Sequence, residues 1–209
     1  MDKAMIAKPV NIPIAIACTH VHLTASAIEV LFGDDHCLHK DEALNQAHQF
    51  MAMESVTLVG PRRRLSNVHV IGPPRAVNQV ELSRTDAESL GIEAPVRASG
   101  DLIGTPGITI EGPRTRVVLG TGVICAQRHI HMNPMVAKQL GVKDQDRVSV
   151  STGVLNRGLQ FRNVLIRVSP GYKLELHLDT DEANAAGIRE GDYAVLDEIT
   201  AHAAGGLKD

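Results

Sequence analysis

The chain has 209 residues, enough for one large domain or two small ones with cores of their own. Its net charge is -3, aromatics make up 2% and Trp is absent, so neither a basic field for nucleic acid nor stacking platforms for single strands is present. No apolar run approaches the roughly 18 residues of a membrane span, and the three cysteines form no CxxC pair or disulfide framework, which points to a reducing intracellular setting.

The opening "MDKAMIAK" is too short to read as a targeting helix. "NIPIAIAC" is strand-length and lacks the charged start and cleavage site of a signal peptide. Cys18, among apolar neighbours, reads as a buried, inert thiol rather than a metal ligand. "HVHLT" reads as a short strand, with Thr24 starting a helix that Gly33 stops. The polar stretch "DDHCLHKDEALNQ" follows, and His36, His39 and nearby His48 read as solvated or locally bonded.

Strands "SVTLVGP" and "NVHVIGP" come next, with His69 alternating in the second. Between them Arg62-Arg63-Arg64 reads as a solvated hairpin turn. After the strand-like "VEL", Thr85 and Glu88 fit a capping box, and Gly91 ends that helix. "GITIEGP" reads as a strand, with the Gly- and Pro-rich "GTPGITIEGPRT" around it open to a second reading as a linker. "RVVLG" is a further strand. "RHIHM" then leads through Asn133 and Pro134 into a helix ending at Gly141. "RVSVST" and "NVLIRVS" read as strands. "LHLD" precedes a helix that begins at Asp179 or Thr180 and stops at Gly187, and "YAVLDEI" is the last strand. His202 lies in a polar tail.

These elements repeat. His20-Val21-His22 falls on His129-Ile130-His131, 109 residues on. Asn67 of "SNVHVI" falls on Asn163 of "RNVLIR", and "VELSRTDAESLGI" on "LHLDTDEANAAGI", both 96 residues on. The difference is one insertion in the first half, at "DDHCLHKDEALNQ". Many short strands with four short helices predict a mainly β fold: two tandem, internally duplicated small β-barrels with short capping α-helices.

Residues i and i+2 of a strand point to one side, so His-X-His presents two imidazoles on one face. The duplication aligns Glu81 with His177, each ten residues before its helix-ending glycine. Each repeat therefore offers three metal-ligand side chains: His20, His22 and Glu81 in the first, His129, His131 and His177 in the second. Facing repeats would bring both sets into one cleft. His₂Glu and His₃ are both ligand sets of open catalytic zinc sites. No GxSxG elbow, P-loop or GxGxxG competes with this reading.

Together "HVHL", "NVHVIGPPR", "QVELSRTDAESLGI", "APVRASGDLIGTPGITIEGP", "GVICAQRHIHM" and "LELHLDTDEANAA" resemble the PduL family of phosphate propanoyltransferases (phosphotransacylases) of bacterial microcompartments. The resemblance implies conversion of acyl-CoA and phosphate to acyl phosphate and coenzyme A, with propanoyl-CoA as the expected substrate. It implies two divalent metal ions, zinc by expectation, with the His20, His22 and Glu81 metal meeting the CoA sulfur. The second metal, on His129, His131 and His177, would keep water in its remaining positions. Arg75 would position phosphate with Gln79, Ser99 and Arg167 as helpers, and Asn184 would contact CoA. In the family's fold the strand before the first His-X-His packs with the second barrel. The expected repeats are therefore 19–126, and 8–18 plus 127–200. A homo-oligomer is expected, in the microcompartment lumen or the cytoplasm, associated with shell or enzyme core, without nucleic-acid or membrane partners. The family commonly has Arg before the first His-X-His, where this chain has Thr19, and no N-terminal encapsulation helix reads from the sequence.

Two alternatives belong to other classes. A dinuclear zinc hydrolase would use His-X-His at a strand end, but amidohydrolases of that kind need a (β/α)₈ barrel of about 250 residues. A non-catalytic metal-binding structural module would show closed coordination with no open position.

Overall fold

The computed structural model describes residues 10–152 and 157–197. The readings of "MDKAMIAK" and His202, and residues 198–200 of the expected second repeat, lie outside the described residues. In chain order the first elements are β1 (Asn11–Ala17), β2 (His20–His22), α1 (Ala25–Phe32), β3 (Lys40–Ala43), β4 (Phe50–Val59), β5 (Arg64–Gly72), β6 (Gln79–Glu81), α2 (Arg84–Leu90), β7 (Val96–Arg97), β8 (Ile108–Glu111) and β9 (Arg116–Leu119). Then follow β10 (Val123–Ala126), β11 (His129–Met132), α3 (Pro134–Leu140), β12 (Arg147–Thr152), β13 (Gln160–Val168), β14 (Glu175–Asp179), α4 (Thr180–Ala186) and β15 (Tyr193–Leu196). No described helix is long and apolar enough to cross a membrane.

Two compact units divide the chain. One holds the described residues up to Ile16, Arg128–Leu178 and the described residues from Glu182 on; the other holds Ala17–Gln127 with Asp179–Asp181. The first is a closed barrel in the order β1-β14-β11-β13-β12-β15. Alternation fills it: Ile12, Ile14, Ile130, Val148, Val150, Val164, Ile166, Leu176 and Leu178 share one core. The second is a nine-stranded half-barrel sheet, β7-β10-β6-β2-β5-β4-β8-β9 with β3 on β4. Its core gathers Val21, Leu23, Leu31, Leu58, Val70, Val80, Leu90 and Ile110. The fold is mainly β with four short helices, as the sequence predicts.

The duplication is visible strand by strand. The central order β6-β2-β5-β4 recurs as β14-β11-β13-β12. Asn67 and Asn163 both have positive φ, 59° and 56°. Each lies where the ladder slips, between Val56/Leu58 against β5 and between Val148/Val150 against β13. Helix ends match too. Ile92 N–H donates to Ala87 O, Val142 to Ala137 and Ile188 to Ala183, closing each helix through a left-handed glycine, Gly91, Gly141 or Gly187. The two units differ in closure. In the barrel β1 pairs β15, whereas in the sheet β8 pairs β9 and β10 pairs β7, which leaves it open.

Of the two readings of "GTPGITIEGPRT", the strand holds: β8 pairs with β4 and buries Ile108 and Ile110, so alternation outweighs the Gly and Pro around it. Two local expectations are corrected. Thr85 does not cap α2, which starts one residue earlier, so Ser83 takes the cap and accepts from Asp86 N at 3.0 Å. Cys18 is exposed rather than buried, in the connection between β1 and β2.

Candidate functional site

In the sheet unit, β2 runs antiparallel to β6 and sets His20 opposite Glu81. Strand alternation puts His22 on the same face as His20. Backbone carbonyls orient both rings: His20 Nδ1 lies 2.8 Å from Cys18 O and His22 Nδ1 lies 3.2 Å from Ile71 O. Carbonyls only accept, so each Nδ1 carries the proton and each Nε2 keeps its lone pair. The two Nε2 atoms are 3.2 Å apart, and Glu81 oxygens stand 3.7 and 3.6 Å from them. Two facing lone pairs and a carboxylate repel one another unless a cation lies among them. The spacings also suit one: tetrahedral ligands at roughly 2.0–2.2 Å from zinc lie about 3.3–3.6 Å from each other. The donor set fits a divalent metal. Burial pushes the His22 imidazole down to about 4, against the pull of the Glu81 carboxylate on a protonated ring, so the ring is neutral and ligand-competent at neutral pH.

In the barrel unit, β11 lies between β13 and β14 and sets His129 opposite His177. The rings of His129, His131 and His177 lie 4.6–4.8 Å apart by centroid. One ligand atom from each falls within 4.8 Å of the others, as for the three residues of the sheet unit. Two neighbours were not read from sequence. Tyr172 stacks on His131 at 4.1 Å, and Glu175 Oε2 lies 2.8 Å from His177 Nε2. A carboxylate that accepts from one imidazole nitrogen fixes the tautomer and makes the other nitrogen the better donor to a metal. Glu175 did leave a trace in the sequence, because in "ELHLD" it shares a strand face with His177.

The other sequence candidates separate into groups. Arg75, Gln79 and Ser99 gather around Glu81. Gln79 is buried, donates from Nε2 to Glu81 Oε1 at 2.5 Å and to Ser99 Oγ at 2.8 Å, and accepts from Gly100 N at 2.8 Å. Arg75 Nη1 donates to Ser99 Oγ at 3.3 Å, and its backbone N–H donates to Leu23 O at 2.8 Å. Its charge also helps hold the His22 ring neutral. Arg167 belongs to the barrel, across the ladder from His131. Asn184 is an exposed residue of α4 and belongs to neither ligand cluster.

This chain is similar throughout to known proteins. The family model for phosphate propanoyltransferase matches residues 13–189. The phosphate propanoyltransferase of Salmonella typhimurium is 53% identical over 84% of this chain and 83% of its own length. That of Thermotoga maritima is 48% identical over 93% of each chain, and that of Citrobacter freundii 49% over 84% and 83%. The chain belongs to the phosphate propanoyltransferase family. It is accordingly an enzyme, a phosphate acyltransferase. The (β/α)₈ barrel that the hydrolase alternative requires is not the fold of the described residues.

Proposed function

We propose that this family member interconverts a short-chain acyl-CoA, propanoyl-CoA by its family's name, and phosphate with acyl phosphate and CoA by direct transfer. The observation that carries the mechanism is the half-buried Arg75 tied through Ser99 and Gln79 to Glu81, which is itself clustered with His20 and His22. A phosphate site and a three-ligand metal set are thereby joined within one unit.

Arg75 holds phosphate through its guanidinium fork, which fixes the anion's orientation and lowers the entropy cost of attack. Gln79 and Ser99 hold the Arg75 side chain in place for the anion. Within the barrel unit, Arg167 is a candidate phosphate contact and Asn184 a candidate CoA contact. His20, His22 and Glu81 would hold one divalent ion and His129, His131 and His177 a second, zinc by donor set. When bound, such an ion supplies Lewis acidity to a thioester carbonyl and affinity for a thiolate sulfur. A phosphate oxygen attacks the carbonyl carbon, the C–S bond breaks and CoA leaves as thiolate. No side-chain nucleophile takes part, in keeping with the absence of nucleophile motifs. We place this activity in a homo-oligomer in the cytoplasm or microcompartment lumen.

The test is a phosphate-dependent acyl-CoA assay across short acyl chains, before and after chelation. Direct transfer predicts intersecting two-substrate kinetics and loss of activity on chelation. Ping-pong kinetics or a trapped acyl-enzyme would overturn it. Thiol release that ignores phosphate would favour a hydrolase, and full activity in His129→Ala would remove the second cluster from catalysis.

A further inference from the structure

We infer that His36, His39 and Glu54 form a third divalent-metal site, which staples the insertion after α1 to the sheet. None of these residues belongs to either cluster above, and His36 and His39 lie in the stretch that the second repeat lacks.

One ligand atom from each of the three residues lies within 4.8 Å of the others. Glu54 Oε1 is hydrogen-bonded to His36 Nε2 at 2.8 Å and to His39 Nδ1 at 2.7 Å, and these contacts open by under 1 Å to reach the roughly 3.3–3.6 Å between ligands of a tetrahedral ion. Several features hold the three side chains there. The β4–β5 register slips between Met51 and Ser55, and Glu54 sits in that slip, where a bulge re-aims a side chain. His39 is tied from both sides: its N–H donates to the two carboxylate oxygens at 3.1 and 3.0 Å, and its carbonyl accepts from Met53 N at 2.9 Å. The His36 ring stacks on Phe32, with centroids 5.2 Å apart, which fixes its orientation. The Glu54 side chain is only 7% exposed, against 24% for His36 and 67% for His39. The anion is thus seated inside and the imidazoles close over it.

The chemistry needs no net change of charge. The protons shared with Glu54 Oε1 move to the far nitrogens, Nδ1 of His36 and Nε2 of His39. Two nitrogen lone pairs and a carboxylate then face one point. Burial alone would raise the Glu54 pKa, but the hydrogen bonds from His39 and His36 outweigh it and hold it below the usual range. Two nitrogens and one carboxylate oxygen suit a zinc-class ion with one position left to water. The exposed His39 ring opens the site to solvent, and Glu54 also lines a cleft of about 450 Å³ with Ser55, Thr57, Asn67 and Glu111. The ion would cross-link Glu54 on β4 to the segment between α1 and β3, a structural task independent of the acyl-transfer reading.

The experiment counts zinc per chain in the full-length protein after chelation, reloading and dialysis. Wild type is compared with Glu54→Gln, His36→Ala and His39→Ala. The expected result is a loss of one zinc equivalent in each variant relative to wild type. Phosphate-dependent activity stays within about twofold of wild type, and limited proteolysis within residues 34–49 becomes faster. An unchanged zinc count would overturn the site. Glu54 is nearly buried, so circular dichroism checks that variant's fold. His39 is two-thirds exposed, and His39→Ala carries the test if Glu54→Gln does not fold. Failure of the acyl-transfer reading leaves the zinc difference untouched, so the two outcomes are separable.

Discussion

The Thr19 hydroxyl donates to Asp86 Oδ2 at 2.5 Å, and at the matching point of the second repeat Arg128 Nη1 donates to Glu182 Oε1 at 2.8 Å. Asp86 and Glu182 are each the third residue of their helices, 96 residues apart. In both repeats the residue before His-X-His is therefore braced against the first turn of the helix after the third ligand. The exchange of Arg for Thr shortens the brace without removing it. In the barrel Arg128 also reaches the Phe161 ring, 5.5 Å from its guanidinium carbon, a contact that Thr19 has no atoms to make.

Thr19→Val keeps the shape and removes the donor. Thr19 Oγ1 also accepts from Ser83 N–H at 3.3 Å, so two part-buried hydrogen bonds are lost, at about 1–2 kcal/mol together. In a chain of this size that lowers Tm by roughly 2–8 °C. Scanning calorimetry checks the shift, and zinc content should not change. An unaltered Tm would mean that the two bonds contribute nothing.

The ligand clusters were legible because two periodicities coincide. Strand alternation put His20 with His22 and His129 with His131, and the duplication delivered Glu81 and His177 as third members. The pairings His20↔Glu81 and His129↔His177 are the ones that this alignment requires. What stayed hidden depends on contacts without a period. Glu54 joins His36 and His39 from 18 and 15 residues away through a slipped ladder, and Tyr172 stacks on His131 from a turn. Ser83 outcompeted Thr85 for the cap, although both fit the local preference. Cys18 was read from apolar neighbours, but strand β1 ends before it.

Arg75→Ala should raise the KM for phosphate and lower kcat/KM by roughly 10- to 100-fold, since hydrogen bonds to a charged group contribute about 1.5–3 kcal/mol. The KM for acyl-CoA should move far less. Arg75→Lys keeps the charge but loses the fork, so it should recover only part of the activity. Steady-state kinetics in both substrates decide it. An unchanged phosphate dependence would remove Arg75 from the anion site.

Arg62 and Arg63 lie in the turn of the β4–β5 hairpin and Arg64 opens β5, and Gly112-Pro113-Arg114 builds a similar turn between β8 and β9. Arg62 N–H donates to Leu90 O at the end of α2, and Arg114 N–H donates to Leu31 O near the end of α1. A Cβ at Gly60 would lie 2.3 Å from Leu90 O, and one at Gly112 2.5 Å from Leu31 O. Both obstacles are backbone atoms, which cannot rotate away. Gly60→Ala and Gly112→Ala should each destabilise by about 1–3 kcal/mol. Urea unfolding measures this; a neutral result at both sites would show that the helix ends shift freely. Gly120→Ala is the control, since a Cβ there would meet nothing within 4 Å.

Thiol chemistry should split the cysteines two to one. Cys18 and Cys37 are exposed, whereas burial pushes the Cys125 thiol up to about 11. Thiolate is the reactive form, so at pH 8 two thiols should label rapidly with a maleimide or aromatic disulfide. Cys125 should react only on unfolding. Three equally fast thiols would contradict the burial of β10.

The metal-stripped chain should lose stability as pH falls through the His22 window. The His22 pKa in the folded chain, about 4, lies below the ordinary imidazole value of 6.5. Between those values the unfolded chain binds a proton that the folded chain refuses, so stability declines as pH drops from about 6.5 toward 4, with the full loss below 4. The loss is on the order of 3 kcal/mol. His22→Gln removes the titrating group, and its urea midpoint should fall less between pH 7 and pH 5 than that of the parent chain. Zinc-loaded protein should show a steeper acid loss, because protons then compete with the ion for the same nitrogens. Parallel pH profiles for the stripped parent and His22→Gln would show that another group governs this range.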